Sequence, residues 1–184
     1  METKKINPIA EQSKEMIISA LLKLLEEKHY TQITISDIAD KAQLARRTFY
    51  RNFNSKEDVI KEFYDKQSEK FIETLKKEDT LSVYIVAKTY FTFMKRNLNV
   101  LKLLEKNDLL YFILQFSRPL IYQRFEKDNS PNNKYDYTNY LFAFTSGAFW
   151  SVLIEWLREG AVKTPDEIAA LINGMLNKEL FDFN

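Results

Sequence analysis

Apolar residues recur three and four positions apart along most of the chain and rarely alternate with polar ones, so the elements predicted are helices. Ile17, Leu21, Leu24 and Leu25, with Ile18 off centre, define a first long helix over Ser13–Lys28. A polar arm, residues 1 to about 12, precedes it, with Lys4 and Lys5 placed to touch phosphates. Thr34 followed by Asp37 has the capping-box pattern, and Ile38, Ala39 and Ala42 share one face of the short helix it opens. After a break at Gln43–Ala45, the segment Arg46–Phe53 forms a second short helix. Phe49 and Phe53 lie on one side, and Arg46, Arg47, Thr48, Tyr50 and Arg51 occupy the others. Ser55, with Asp58 three residues on, caps a connecting helix whose apolar positions Val59, Ile60, Phe63, Tyr64, Phe71, Ile72 and Leu75 run toward Lys77.

The pattern resumes over Leu81–Lys95, pauses at Arg96-Asn97, and continues over Leu98–Lys106 and then Leu109–Phe125, where Pro119 predicts a kink. Residues 128–135 have the composition of a loop. Tyr137–Ile154 carries no charge, which raises the question of a membrane span. Thr138, Asn139, Thr145, Ser146, Gly147 and Ser151 within it, and the acidic flanks Asp136 and Glu155, argue against one. Such a helix is expected to lie buried between core and partner, with Gly147 and Ser151 allowing close approach of another helix. Gly160 stops it, and Thr164-Pro165-Asp166-Glu167 opens the last helix, with Ile168, Leu171, Ile172, Met175 and Leu176 as its stripe. Two adjacent apolar helices point to a dimer interface built as a four-helix bundle.

Composition narrows the class. With 184 residues, 45% of them apolar, the chain can fill a sizeable core, and three Gly and four Pro speak against a dinucleotide fingerprint or a glycine-rich phosphate loop. The fold class expected is all-α: a three-helix helix-turn-helix unit over residues 1–54, then a helical dimerisation and effector-binding bundle over 55–184. The absence of cysteine removes disulfides, thiolate metal sites and thiol nucleophiles. One histidine leaves little for imidazole chemistry, and no nucleophile with its base is recognisable. An enzyme, a metal site and a cofactor are therefore not expected. The single histidine, His29, follows Glu26-Glu27-Lys28 and is expected to end the first helix in a left-handed conformation. No secretory signal pattern opens the chain, so the expected location is cytoplasmic. The net charge of +1 means that any nucleic-acid contact must rest on a local basic patch.

That patch is the second short helix, basic, aromatic and free of acid. Two short helices with a tight turn between them suit insertion into the DNA major groove, where arginine bonds guanine bidentately and Thr and Tyr hydroxyls bond phosphate oxygens. The linked set Glu27-Lys28-His29-Tyr30, Thr34, Asp37-Ile38-Ala39, Ala42, Leu44, Thr48-Phe49-Tyr50, Phe53 and Ser55-Lys56-Glu57 resembles the N-terminal domain of the TetR family of transcriptional regulators. The segment from Gly147 through Trp156 to Leu171 is loosely similar to a subgroup that includes regulators of dihydroxyacetone use. The resemblance implies a homodimer on a roughly palindromic double-stranded operator, with a C-terminal domain that often binds a small effector. By matching positions, Arg46, Arg47 and Arg51 are candidates for base reading, and Thr34, Ser36, Thr48, Tyr50 and Lys56 for phosphate contact. Tyr90, Phe112, Phe116, Tyr122 and Trp150 are candidates to line an effector cavity. The chain departs from the family at His29, where Gly is usual, and at Gln43 and Ala45, where Gly and a capping residue are common. The function expected is a dimeric repressor controlled by an effector. The alternative is a helical protein-interaction module or co-regulator with reduced or lost DNA binding.

Overall fold

The computed structural model describes residues 8–78, 80, 82–112 and 138–176, and among them the regular structure is entirely helical. Helix α1 spans Pro8–Glu27, opening earlier than the sequence pattern indicates, so that Pro8–Gln12 is helix rather than arm. Proline suits that first position because its fixed φ is already helical and its missing N–H would lack a partner there. Lys4 and Lys5 lie outside the described residues. A single 3₁₀ turn, Tyr30–Gln32, leads to α2 (Ile35–Lys41) and α3 (Arg46–Asn52), and α4 (Lys56–Leu75) carries the chain away from them. Helices α5 (Val83–Arg96) and α6 (Leu98–Lys106) follow, the chain re-enters helix at Leu110, and α7 (Thr138–Arg158) and α8 (Pro165–Leu176) complete the description. The expected kink at Pro119 and the loop at 128–135 lie outside the described residues.

The predicted caps form. The Thr34 N–H donates to Asp37 Oδ2 at 2.7 Å and the Asp37 N–H to Thr34 Oγ1 at 3.2 Å. Ser55 and Asp58 repeat the arrangement at α4, as Thr164 and Glu167 do at α8. Three helices end in one manner, with the N–H two residues past the cap donating five residues back. These bonds run from Leu44 to Ala39 O, from Leu109 to Leu104 O and from Ala161 to Trp156 O. The geometry needs a left-handed residue at its corner. Gly160 supplies it with φ +79, but Gln43 (φ +56) and Asp108 (φ +57) do so without being glycine. His29 is not one of these corners. Its φ of −63 and ψ of 145 are extended, and its Nδ1 accepts from the Thr31 N–H to cap the 3₁₀ turn.

Helix α1 packs against α2, α3, α4 and α6, and α5 packs along α8. Ile17, Leu21 and Leu25 of α1 meet Ile38, Phe49, Val59 and Ile60 in a core that continues through Leu104 and Leu109 to Phe91, Leu153 and Trp156. Ion pairs from Lys14 to Glu62 and from Lys66 to Glu11 brace α1 on α4. The apolar stripe of α8 divides: Ile168 and Ile172 are buried, whereas Leu171, Met175 and Leu176 face outward. Helix α7 is divided in the same way, with Trp156 and Leu157 sealed but Tyr140 77% and Phe144 61% exposed. Among the described residues no atom approaches within 4 Å of where a Cβ on Gly147 would stand, which leaves that face of the helix open.

The joint between the N-terminal helices and α6 is polar. Asn107, only 2% exposed, accepts from the Tyr30 N–H at 2.9 Å and donates through Nδ2 to Leu103 O and Leu25 O. The Tyr30 hydroxyl reaches Glu57 and the Tyr64 hydroxyl reaches Leu109 O, which ties α4 into the same joint.

Candidate DNA-binding surface

Phe49 sets the orientation of α3. It is fully buried, edge-on to Tyr50 at 5.7 Å and tilted against Phe53 at 6.0 Å. Burying such a ring stabilises by about 2–3 kcal/mol. With Phe49 turned inward, helical geometry sends Arg47, Tyr50 and Arg51, at i, i+3 and i+4, to one outer face, and Arg46 to its edge. All four are exposed, Tyr50 by 56%. Among the described residues no carboxylate pairs with Arg46, Arg47 or Arg51. Helix α3 contains no acid, and its N-cap Ala45 contributes no side-chain hydrogen bond. The result is a protruding face of unengaged guanidinium groups beside a phenol.

The candidate phosphate contacts are placed differently from one another. Ser36 and Thr48 are half-buried on the first turn of α2 and the inner flank of α3. Thr34 is exposed, but its hydroxyl donates to Asp37 Oδ2 at 2.8 Å and accepts from the Asp37 N–H, so it serves its own helix. The Lys28 ammonium joins Asp37 at 2.8 Å and, with the two Thr34 donors, holds that carboxyl far below the usual range. Lys56 is engaged more deeply. Its Nζ donates to Tyr30 O at 2.8 Å and Ile33 O at 3.0 Å and stands 4.2 Å above the Tyr30 ring, leaving one N–H uncommitted. No pattern of residue types announces this clamp.

Residues 17–63 match the bacterial regulatory proteins of the tetR family, and residues 85–178 match a transcriptional regulator C-terminal region. The chain belongs to the TetR family. It is accordingly a DNA-binding transcriptional regulator rather than an enzyme, and α2 and α3 are its helix-turn-helix. No curated protein sequence matches it. Several solved structures share the TetR-family fold. Lin0861 from Listeria innocua superposes with a TM-score of 0.76 at 15% identity, covering 96% of this chain and 95% of that one. The fatty acid degradation regulator FadR from Bacillus halodurans gives 0.60 at 21% identity, with 97% and 99% covered. The dihydroxyacetone kinase operon activator DhaS gives 0.55 at 18% identity, with 91% and 95% covered, in keeping with the subgroup similarity of the sequence.

In the C-terminal part, Tyr90 sits at the centre of a ring cluster, 5.7 Å from Phe71, 5.2 Å from Phe91 and 5.3 Å from Phe149. Phe112 and Trp150 are partly buried against the core. Phe116 and Tyr122, the other candidate cavity residues, lie outside the described residues. Among the described residues no cluster of His, Asp or Glu is arranged to hold a metal, and no helix is long and apolar enough to cross a membrane.

Proposed function

We propose that the protein is a homodimeric repressor that reads a roughly palindromic operator through α3 and is released by a small effector bound in the C-terminal bundle. The observation that carries the DNA-reading part is the exposed face of Arg46, Arg47, Tyr50 and Arg51, free of carboxylate partners and oriented by the buried Phe49. The arginines read base edges. Tyr50, Thr48 and Ser36, with the remaining N–H of Lys56 and the backbone around Thr34, set register on the phosphates. Residues 1–54 form the DNA-binding unit and 55–184 the dimerisation and effector unit, working in the cytoplasm.

Dimerisation is supported by apolar surface on two successive helices: Tyr140 and Phe144 on α7, and Leu171, Met175 and Leu176 on α8, each at least 39% exposed. Pairing that surface buries it and produces the two-fold axis that a palindrome mirrors, with half-sites about 34 Å apart. Repression is the regulatory sign that occupancy alone produces, because two recognition helices cover the DNA they bind and need no further contact.

Selection of bound sequences from random duplex DNA, repeated across salt, tests the proposal. The expected result is a two-half-site motif whose affinity falls steeply with salt as counterions are released. Enrichment of a single half-site refutes the dimer. Failure to enrich any motif, together with capture of a protein partner, supports the interaction module instead.

A further inference from the structure

The buried amide of Asn107 engages three segments at once. Its Oδ1 accepts from the Tyr30 N–H of the 3₁₀ turn, and its Nδ2 donates to Leu25 O of α1 at 3.3 Å and to Leu103 O of α6 at 2.9 Å. The end of α6 that carries it is itself pinned, because the left-handed Asp108 turns the chain and brings the Leu109 N–H to Leu104 O at 2.9 Å. Beyond Tyr30 the bonds continue. Tyr30 O accepts from the Lys56 ammonium at 2.8 Å, and the same ammonium holds Ile33 O at 3.0 Å, one residue before the Thr34 cap of α2. The Tyr30 hydroxyl reaches Glu57 of α4 at 2.8 Å, and the Leu44 N–H ties the turn before α3 to Ala39 O of α2 at 2.9 Å. Directional bonds thus run without a gap from α6 to the frame that carries α3. Apolar contact has no direction and lets packed elements rock or slide, whereas hydrogen bonds to one planar amide fix distance and angle together.

We propose that Asn107 is a positioning residue for operator recognition: by locking the end of α6 to the 3₁₀ turn it fixes the stance of α3 on the bundle, and so sets which half-site spacing the protein accepts. This rests on the homodimer reading above. One base pair added between half-sites displaces one of them by about 3.4 Å and rotates it by about 35°. A frame locked at Asn107 does not follow that displacement, and a frame released from it does. Asn107 touches no DNA in this role; it acts through Tyr30 and Lys56.

The test uses the full chain and the operator recovered by the selection described above, prepared with its natural spacing, with one base pair added between half-sites, and as a single half-site. The parent is expected to lose affinity sharply on the added pair. Asn107→Leu should lose about tenfold less, the size of one net hydrogen bond, with its affinity for the single half-site unchanged. Asn107→Ala, which leaves room for a water to meet the Tyr30 N–H, should behave alike and keeps the measurement possible if the leucine variant does not fold. Leu153→Ala deletes a fully buried side chain of α7, which carries none of these bonds, and should keep the parent's spacing penalty despite its lower stability. Relaxation as large in Leu153→Ala, or loss of half-site affinity in a folded Asn107 variant, overturns the proposal. A parent that enriches single half-sites refutes the dimer and this role with it, whereas strict spacing that the Asn107 variants retain refutes this role alone.

Discussion

Replacing Gln43 by glycine should make the protein more stable, although the substitution deletes a whole side chain. Gln43 is exposed, so little packing is lost. Its φ of +56 is fixed, because the Gln43 N–H is bonded to Asp40 O at 3.0 Å and the next N–H to Ala39 O at 2.9 Å, and both bonds require the left-handed corner. An L-residue pays about 1–2 kcal/mol to occupy that region. Glycine removes the penalty but makes the unfolded chain freer, which offsets about 0.5–1 kcal/mol. The net gain is about 0.5–1 kcal/mol, or ~1–4 °C in Tm for a chain of this length. Gln43→Ala is the control, since it keeps the Cβ and the strain and should gain nothing. Asp108→Gly should gain less than Gln43→Gly, because aspartate tolerates the left-handed region and Asp108 lies 3.5 Å from His29 Nε2. Reversible urea and thermal unfolding followed by circular dichroism measure all three. If Gln43→Gly loses stability, or Gln43→Ala gains as much, the strain is not what the backbone angle implies.

Three further outcomes follow from the geometry. Arg47→Ala should lose about 1–3 kcal/mol of preference for its cognate base while leaving the melting curve unchanged, and an unaltered operator preference would remove Arg47 from base reading. Asn107→Leu, nearly isosteric, strands the Tyr30 N–H and should cost about 1–3 kcal/mol in urea unfolding at constant slope; a loss under about 0.5 kcal/mol would mean the joint does not depend on that bond. The Asp37 carboxyl has a folded pKa depressed by Lys28 and Thr34, so its contribution is present above its unfolded pKa of about 4 and is lost as pH falls through the folded value. Asp37→Asn should therefore be less stable than the parent at pH 7, with the gap closing below pH ~4. A gap that persists or widens in acid would reverse the assignment.

Much of this fold was legible because the signals were redundant. Thr34 with Asp37, Ser55 with Asp58 and Thr164 with Glu167 each announce a helix start twice, through the cap and through the apolar period that follows, and all three caps form. The outward side of α3 was equally plain, since Phe49 and Phe53 can only turn inward and the arginines are left outside. Helix ends were harder. In a chain with three glycines the left-handed corners fall to Gln43 and Asp108, residues with no strong preference to announce them, while His29, which follows the right composition, is extended. Helical period also could not say which apolar residues meet this chain. Leu171 and Ile172 are neighbours in one stripe, yet one is 47% exposed and the other 5%.

The candidate site shows why residue type alone overstates what is free to bind. Thr34, Lys56 and the arginines all look suited to DNA in sequence, but they face different competitors for their hydrogen bonds. Thr34 is beside four unpaired N–H groups at the start of a helix, and capping them satisfies a need that exists whether or not DNA is present. Lys56 lies where the 3₁₀ turn leaves the carbonyls of Tyr30 and Ile33 pointing at α4, and an ammonium above an aromatic face is the group that satisfies both. Arg46, Arg47 and Arg51 protrude from a seven-residue helix with no acid in it, so nothing nearby competes for them. What separates a DNA-reading side chain from a structural one is thus the set of unmet donors and acceptors around it. By that measure α3 carries the proposed reading face, while Thr34 and Lys56 first hold the frame that aims it.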